Sequence, residues 1–275
     1  MIRRIRLALV IGILVPMTAV LLPIQIAAIR AGHPLRRRLP HVWHRVATRM
    51  LGLRVNVIGR PAIHENAGVL IASNHVSWLD IVALGAAAPV SYVAKHEVGG
   101  WPGVSILAKL QETLFIERER RGKVGEQAGQ IRERLARGDA IVLFAEGTTS
   151  DGNFLLPFKS ALFGAVGVGP GSEVAHESVR VQPVAIVYTH LHGVPMGRFD
   201  RPVAAWPGDV ELGPHVAGVL EAGAIDVVVC FGEPIAVGDM ANRKALAAAC
   251  ENAVREMASG VLRGREPLLT GDEKR

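Results

Sequence analysis

The chain has 275 residues, of which 49% are hydrophobic and 5% aromatic, with a formal net charge of +6 and a pI near 9.8. That length suffices to bury the core of one ordinary domain, while two cysteines, Cys230 and Cys250, weigh against a disulfide framework or a cysteine-rich zinc site. The excess positive charge suits an anionic partner, but without a basic stripe interleaved with aromatics nucleic acid is not the expected one.

Residues 7–29 are apolar apart from Thr18 and Gln25. As a helix the run measures about 34 Å, enough to cross the hydrocarbon core of a bilayer. Pro16 and Pro23 would kink it, which keeps a bent, shallow or re-entrant insertion open. Arg3, Arg4 and Arg6 precede the run, and Arg30, Arg36, Arg37 and Arg38 follow it, a placement that suits anionic headgroups. A cleaved signal peptide begins in the same way, but its apolar run is shorter, and a small-residue cleavage site stands where this chain has arginines. The expectation is a retained anchor with the remainder of the chain on the cytoplasmic side.

Residues 41–53, "HVWHRVATRMLGL", place Val42, Trp43, Val46, Ala47 and Met50 near one helical face, with His41, Arg45 and Arg49 on another. The pattern fits an interfacial amphipathic helix; a helix packed on the domain core fits as well. From residue 54 onward, short apolar runs alternate with helical patterns. Strands are predicted at 54–58, 69–72, 91–94, 114–117, 140–145, 179–188 and 225–232, and helices at 79–87, 104–110, 123–137, 158–166 and 241–258. "AIVLFA" (140–145) and "AIDVVVCF" (224–231) do not alternate, as expected of strands covered on both faces. The expected fold is a single α/β domain over 54–262, with a largely parallel or mixed sheet flanked by helices, behind an anchoring unit over 1–53. The tail, 263–275, reads as poorly ordered.

Three predicted strands end in unusual polar loops: "SNHVSWLD" (73–80), "ERERR" (117–121) and "AEGTTSDGN" (145–153). In open α/β sheets, ligands gather at the carboxyl ends of strands, so the three loops would build one site. His75 and Asp80 are about 140° apart in azimuth on a regular helix and cannot face each other. If 74–76 form a turn and the helix starts near Ser77, Asp80 can reach back to His75. A carboxylate on one imidazole nitrogen fixes the tautomer and supports the cation formed at the other. A capping box, Ser77-x-x-Asp80, explains those two residues without chemistry, but it leaves Asn74 and His75 unexplained.

The loop at 146–152 joins Glu146 and Gly147 to the hydroxyls of Thr148, Thr149 and Ser150; its amides could bind an oxyanion, or it is only a glycine-rich turn. Arg118 is a candidate clamp for a carboxylate or phosphate, or a solvated charge like Arg120 and Arg121. Other chemistries lack their signatures. "GVSIL" (103–107) is not a G-x-S-x-G elbow, and the pairs His64-Glu65, His96-Glu97 and His176-Glu177 never extend to H-E-x-x-H. "GVGPG" (167–171) is neither a P-loop nor a dinucleotide fingerprint, and His190-Leu191-His192 has no partner ligand placed by sequence.

Taken together, the loops resemble the membrane-bound glycerolipid acyltransferases of the PlsC-like, lysophosphatidate acyltransferase type. N-H-x-S-x-x-D is matched by Asn74, His75, Ser77 and Asp80. G-x-x-F-I-x-R is matched by Phe115, Ile116 and Arg118, with Glu112 where glycine is usual. F-P-E-G-T-R-S is met by Phe144, Glu146, Gly147, Thr148 and Ser150, and a strand with a proline by Pro183 in "VQPVAIVY". The resemblance implies transfer of an acyl chain from an acyl-carrier protein or acyl-CoA thioester to the hydroxyl of a lysolipid at the cell inner membrane, with no metal or cofactor. His75 would act as base and Asp80 would orient it. Asn74, Ser77, Phe115, Arg118, the 146–150 loop and Lys159 would bind substrate. Thr149 stands where an arginine commonly helps hold glycerol phosphate, and "PMGRFDRP" (195–202) is similar to lyso-ornithine lipid O-acyltransferases, whose acceptor is zwitterionic and lacks phosphate. A lysophosphatidate acceptor and a non-catalytic lipid-binding protein remain the alternatives.

Overall fold

A computed structural model of the chain describes residues 2–63, 67–117, 124–167, 179–208 and 210–265. The N-terminal apolar run forms one helix, α1 (Ile2–Arg30), which Pro16 and Pro23 do not divide. It turns back into α2 (Leu35–Leu51), which closes on Gly52 in the left-handed conformation at φ 73°. One side of α1 lies on the protein through Val10 and Leu14. Its other side exposes Ile5, Leu9, Val15, Val20 and Ile24.

α2 starts six residues before the predicted stretch, and its buried seam is His44, Ala47, Thr48 and Leu51. The expected apolar face is divided: Ala47 is buried, Trp43, Val46 and Met50 are half-buried, and Val42 is exposed. The seam holds because His44 is not a charge to be solvated. Its ring lies where a Cβ on Gly85 would stand, and Nε2 bonds Gln111 Oε1 at 2.8 Å. Burial pushes its pKa down to about 4, partly offset by the Gln111 bond. A neutral imidazole at i with small residues at i+3 and i+4 packs like an apolar stripe.

The sheet consists of β1 (Leu53–Ile58), β2 (Val69–Ser73), β3 (Ser91–Lys95), β4 (Leu114–Ile116), β5 (Ala140–Phe144), β6 (Arg180–Leu191), β7 (Val194–Pro195), β8 (Ile225–Phe231) and β9 (Ile235–Ala236). Its order is β1-β8-β6-β2-β5-β3-β4, with β7 and β9 beside β6. β2, β5, β3 and β4 run parallel, and β6 also runs parallel to β2. β8 pairs antiparallel with β6 and parallel with β1, so the sheet is mixed. Side chains alternate between two cores. Ile71, Val142 and Ile186 face one, while Leu70, Ile141 and Ala185 face the other. α3 (Leu79–Ala87) and α6 (Leu212–Ala222) cover the first face with α2; α5 (Val124–Ala136) and α7 (Arg243–Leu262) cover the second. α4 (Val104–Leu110) connects β3 to β4.

Two differences from the sequence reading have local causes. The helix predicted at 158–166 is a 3-10 segment, Ser160–Val166, ended by Gly167 at φ 59°; Gly164 inside it removes helical propensity. α6 went unpredicted because Gly213, Pro214 and Gly218 weaken its local signal. β6 also runs three residues beyond its predicted end. The predicted tail lies mostly outside the described residues.

Candidate active site

β2 and β5 end side by side, with Ser73 opposite Phe144, and the two loops that follow are stitched together. Ala145 N donates to Ser73 O at 2.9 Å, and Ser150 N donates to His75 O at 2.8 Å. Glu146, buried beneath them, accepts His75 N on one oxygen at 2.8 Å and Leu156 N on the other at 2.8 Å. Its visible work is to brace the turn. Burial pushes the Glu146 carboxyl up to about 7, with the two backbone N–H groups pulling down and the charges of Asp80 and Glu251 pushing further up.

That bracing gives residues 74–78 their non-helical path, so α3 starts only at Leu79 and Asp80 falls in its first turn. Asp80 Oδ2 then meets His75 Nδ1 at 2.8 Å. The same oxygen accepts Val76 N at 2.6 Å and Ser77 N at 2.9 Å. Oδ1 accepts the Tyr188 hydroxyl at 2.7 Å. A carboxylate with no solvent exposure is therefore satisfied by two amides, a phenol and an imidazole, as a buried charge requires. Burial, and then the Asp80 charge, push the Tyr188 phenol well above its ordinary range, so it stays a donor. The His75 ring stacks on Phe144 with centroids 3.8 Å apart and planes 12° apart.

Half of the expected capping box is present. Asp80 reaches back to the Ser77 amide, but Ser77 Oγ accepts Leu79 N, at 3.3 Å, rather than the amide of Asp80. One carboxylate thus both starts the helix and orients the imidazole.

The other expected site residues divide sharply. Asn74 exchanges two hydrogen bonds with the backbone of Ile186, at 2.9 Å and 2.8 Å, tying the turn to β6. Ser150 is buried, and its Oγ accepts Gly152 N at 3.3 Å. Thr148 is exposed and Thr149 half-buried. Lys159 carries an exposed side chain, and its backbone N–H bonds Ala145 O at 2.8 Å. Phe115 sits on edge strand β4, three strands from β2, about 14 Å away at ordinary strand spacing. Arg118 lies outside the described residues. Glu112, at the position where glycine is usual, has φ 54°, a left-handed backbone that favours glycine; its carboxylate meets Arg36 at 2.5 Å.

Sequence reasoning missed Tyr188. The signal was a lone phenol in the apolar strand "PVAIVYT", but only the β2–β6 pairing shows that it faces Asp80. It also missed the clamp from α6: Trp78 Nε1 donates to His215 Nδ1 at 2.9 Å, and His215 Nε2 bonds Ala205 O at 2.8 Å. A second strap is the amide of Trp206, which donates to Val76 O at 2.8 Å. Among the described residues no cluster could hold a metal ion.

A buried carboxylate on a partly exposed imidazole suits proton transfer. A family model described as acyltransferase matches residues 54–196. Lyso-ornithine lipid O-acyltransferase of Brucella abortus is 50% identical over 266 residues, 97% of this chain and 98% of that one. The protein of the same name from Rhizobium meliloti is 47% identical, over 96% of this chain and 90% of that one. A 1-acyl-sn-glycerol-3-phosphate acyltransferase of Neisseria meningitidis is 41% identical over 45% of this chain and 48% of its own length. The crystal structure of the acyltransferase PlsC from Thermotoga maritima shares the fold, with a TM-score of 0.56 at 19% identity over 82% of this chain and 79% of that one. The chain belongs to the acyltransferase family and is an enzyme that transfers acyl groups.

Proposed function

We propose that this enzyme acylates the hydroxyl of lyso-ornithine lipid from an acyl thioester, with His75 as general base. The observation that carries the chemistry is the Nδ1 bond of His75 to Asp80, with the imidazole 17% exposed and the carboxylate not at all. An ionised carboxylate only accepts, so Nδ1 carries the hydrogen and Nε2 keeps its lone pair. Nε2 takes the acceptor's hydroxyl proton as the oxygen attacks the thioester carbonyl. Asp80 stabilises the resulting imidazolium. Collapse of the tetrahedral intermediate breaks the carbon–sulfur bond, and the thiolate leaves with the proton from His75.

The oxyanion formed in between needs donors. The amides of Val76 and Ser77 are already committed to Asp80. The amides of Thr148 and Thr149 have no hydrogen-bond partner among the described residues, and they fit this role. Either acyl-carrier protein or acyl-CoA supplies the required thioester; acyl-carrier protein is the donor expected for this branch.

The acceptor assignment rests on near full-length identity to two lyso-ornithine lipid O-acyltransferases and on Thr149 in place of the usual arginine. Lysophosphatidate is the second reading, favoured by 41% identity to the Neisseria enzyme over 123 residues. Offering the purified protein both acceptors with both thioester donors separates them: acylation of lysophosphatidate alone sinks the ornithine-lipid reading.

Residues 1–53 form the membrane-attaching unit and 54–262 the acyltransferase domain. α1 is fastened to the body near both ends. Arg6 Nη1 donates to Leu220 O at 3.2 Å, and Gln25 Nε2 donates to Leu110 O at 2.6 Å. A helix tied along about 28 Å of the domain, with an apolar outer side, supports embedding in one leaflet of the inner membrane over crossing it, with the domain on the cytoplasmic face. Protease protection of an N-terminal tag in inverted vesicles would contradict this placement.

A further inference from the structure

The loop after β5 and the loop after β7 meet beside the catalytic turn, and charged side chains lie on both. A Cβ on Gly152 would stand 3.1 Å from Val76 and 3.7 Å from the Arg201 Cβ, so Gly152 adjoins both Arg201 and the residue that follows His75. Arg201 Nη1 donates to Asn153 Oδ1 at 3.1 Å, while Arg201 Nε is shut from solvent with no partner. Asp151 accepts the backbone N–H of Asn153 at 2.9 Å and, from the other side of the same side-chain amide, Asn153 Nδ2 at 3.4 Å. Asn153 Nδ2 also donates to Arg198 O, at 3.2 Å, which joins the two loops. The adjacent acid, Asp200, is turned back onto Gly197 N at 2.9 Å. Among the described residues, neither Arg201 nor Asp151 has an ion-pair partner, although a single amide separates them.

Elsewhere in this chain partly buried guanidinium groups are paired, as Arg36 and Arg134 are with Asp139. A shielded N–H without an acceptor is costly and rare. Two opposite charges held apart by Asn153 present a positive and a negative subsite to one molecule.

We propose that Arg201 and Asp151, positioned on either side of Asn153, bind the two ends of a zwitterionic acceptor head group, Arg201 taking the carboxylate and Asp151 the ammonium. In ornithine those groups are separated by a short methylene chain, and the amide-linked hydroxyacyl chain branches between them, so anchoring both ends sets where its hydroxyl meets His75. A phosphate at this place meets Asp151, which disfavours it. The inference rests on the acceptor reading above and supplies the residues that would impose it.

The test uses full-length protein in detergent micelles with both thioester donors. The acceptors are N-(3-hydroxyacyl)ornithine, its carboxamide, its side-chain N-acetyl derivative and lysophosphatidate. Wild type should favour the parent acceptor over either blocked form. Arg201→Gln should lower kcat/KM for the parent about tenfold or more, yet match wild type on the carboxamide. Asp151→Asn should do the same with respect to the N-acetyl form. Equal losses on parent and blocked acceptors, or no loss on any, overturn the assignment, and Arg201→Lys with a thermal midpoint for each variant reports loop damage separately. If wild type acylates lysophosphatidate and no ornithine acceptor, the acceptor reading falls first and this site falls with it.

Discussion

Two buried aspartates lie at opposite ends of the sheet, and their surroundings differ in kind. Asp80, at the carboxyl ends of β2 and β5, is held by two amides, a phenol and an imidazole. Asp139, just before β5, is held by the guanidinium groups of Arg36, Arg37 and Arg134. Burial alone would push Asp139 up, but the Arg134 bond and charge, with the charges of Arg37 and Arg36, hold it below the ordinary carboxylate range. Cations neutralise Asp139 and fix α2 and α5 to the sheet. Around Asp80 the donors are two amides, a phenol and the His75 imidazole, with no guanidinium or ammonium among them. In this chain one buried acid is solvated by dipoles and the other is matched by charge.

Substitutions can break that contrast. His75→Ala should lower kcat by at least about a thousandfold, and Asp80→Asn by about a hundredfold or more, with folding retained. Steady-state rates beside a thermal melt decide this, and a variant that keeps its activity removes the catalytic assignment. Asp139→Ala should do the reverse. It leaves Arg37 without its acid and Arg36 and Arg134 with Glu112 alone, at a cost of about 3–5 kcal/mol in stability by urea unfolding, while the folded fraction keeps its kcat within about twofold.

Tyr188→Phe sharpens the comparison, because it removes a neutral donor from Asp80 alone. The expected loss is about fivefold to thirtyfold in kcat, the equivalent of about 1–2 kcal/mol, with KM nearly unchanged. A change in KM alone would place the phenol in substrate binding instead.

The smallest effect is the acid–base dependence of stability, where two carboxylates act in opposite directions. Asp139 has a lowered folded pKa, so its contribution is present above about pH 4 and lost as pH falls through the folded value. Glu146 is raised to about 7; its contribution is present below about 4.5 and lost as pH rises through 7. Urea unfolding between pH 3 and 8 should therefore lose its acid limb in Asp139→Asn and its neutral limb in Glu146→Gln, each by on the order of 1 kcal/mol. A wild-type slope that survives in either variant assigns that limb to another group.

The sequence by itself determined the α/β class, most strand positions, and the turn that pairs His75 with Asp80. Each is carried by residues close together in the chain: unbroken apolar runs for covered strands, and His75 with Asp80 misaligned for a helix but adjacent across a turn. Tertiary structure decided the rest, because the partners are distant in sequence. Tyr188 reaches Asp80 only through the pairing of β6 with β2. His44 becomes a core residue only where it meets Gly85 and Gln111. Glu112 keeps a left-handed backbone in a place where it also bonds Arg36. Asn74 and Glu146, expected at the site, also bond the backbone of Ile186, His75 and Leu156. Residue type says that a polar group must be satisfied when buried; only the packed chain says by whom, and that choice separates a scaffold from a site.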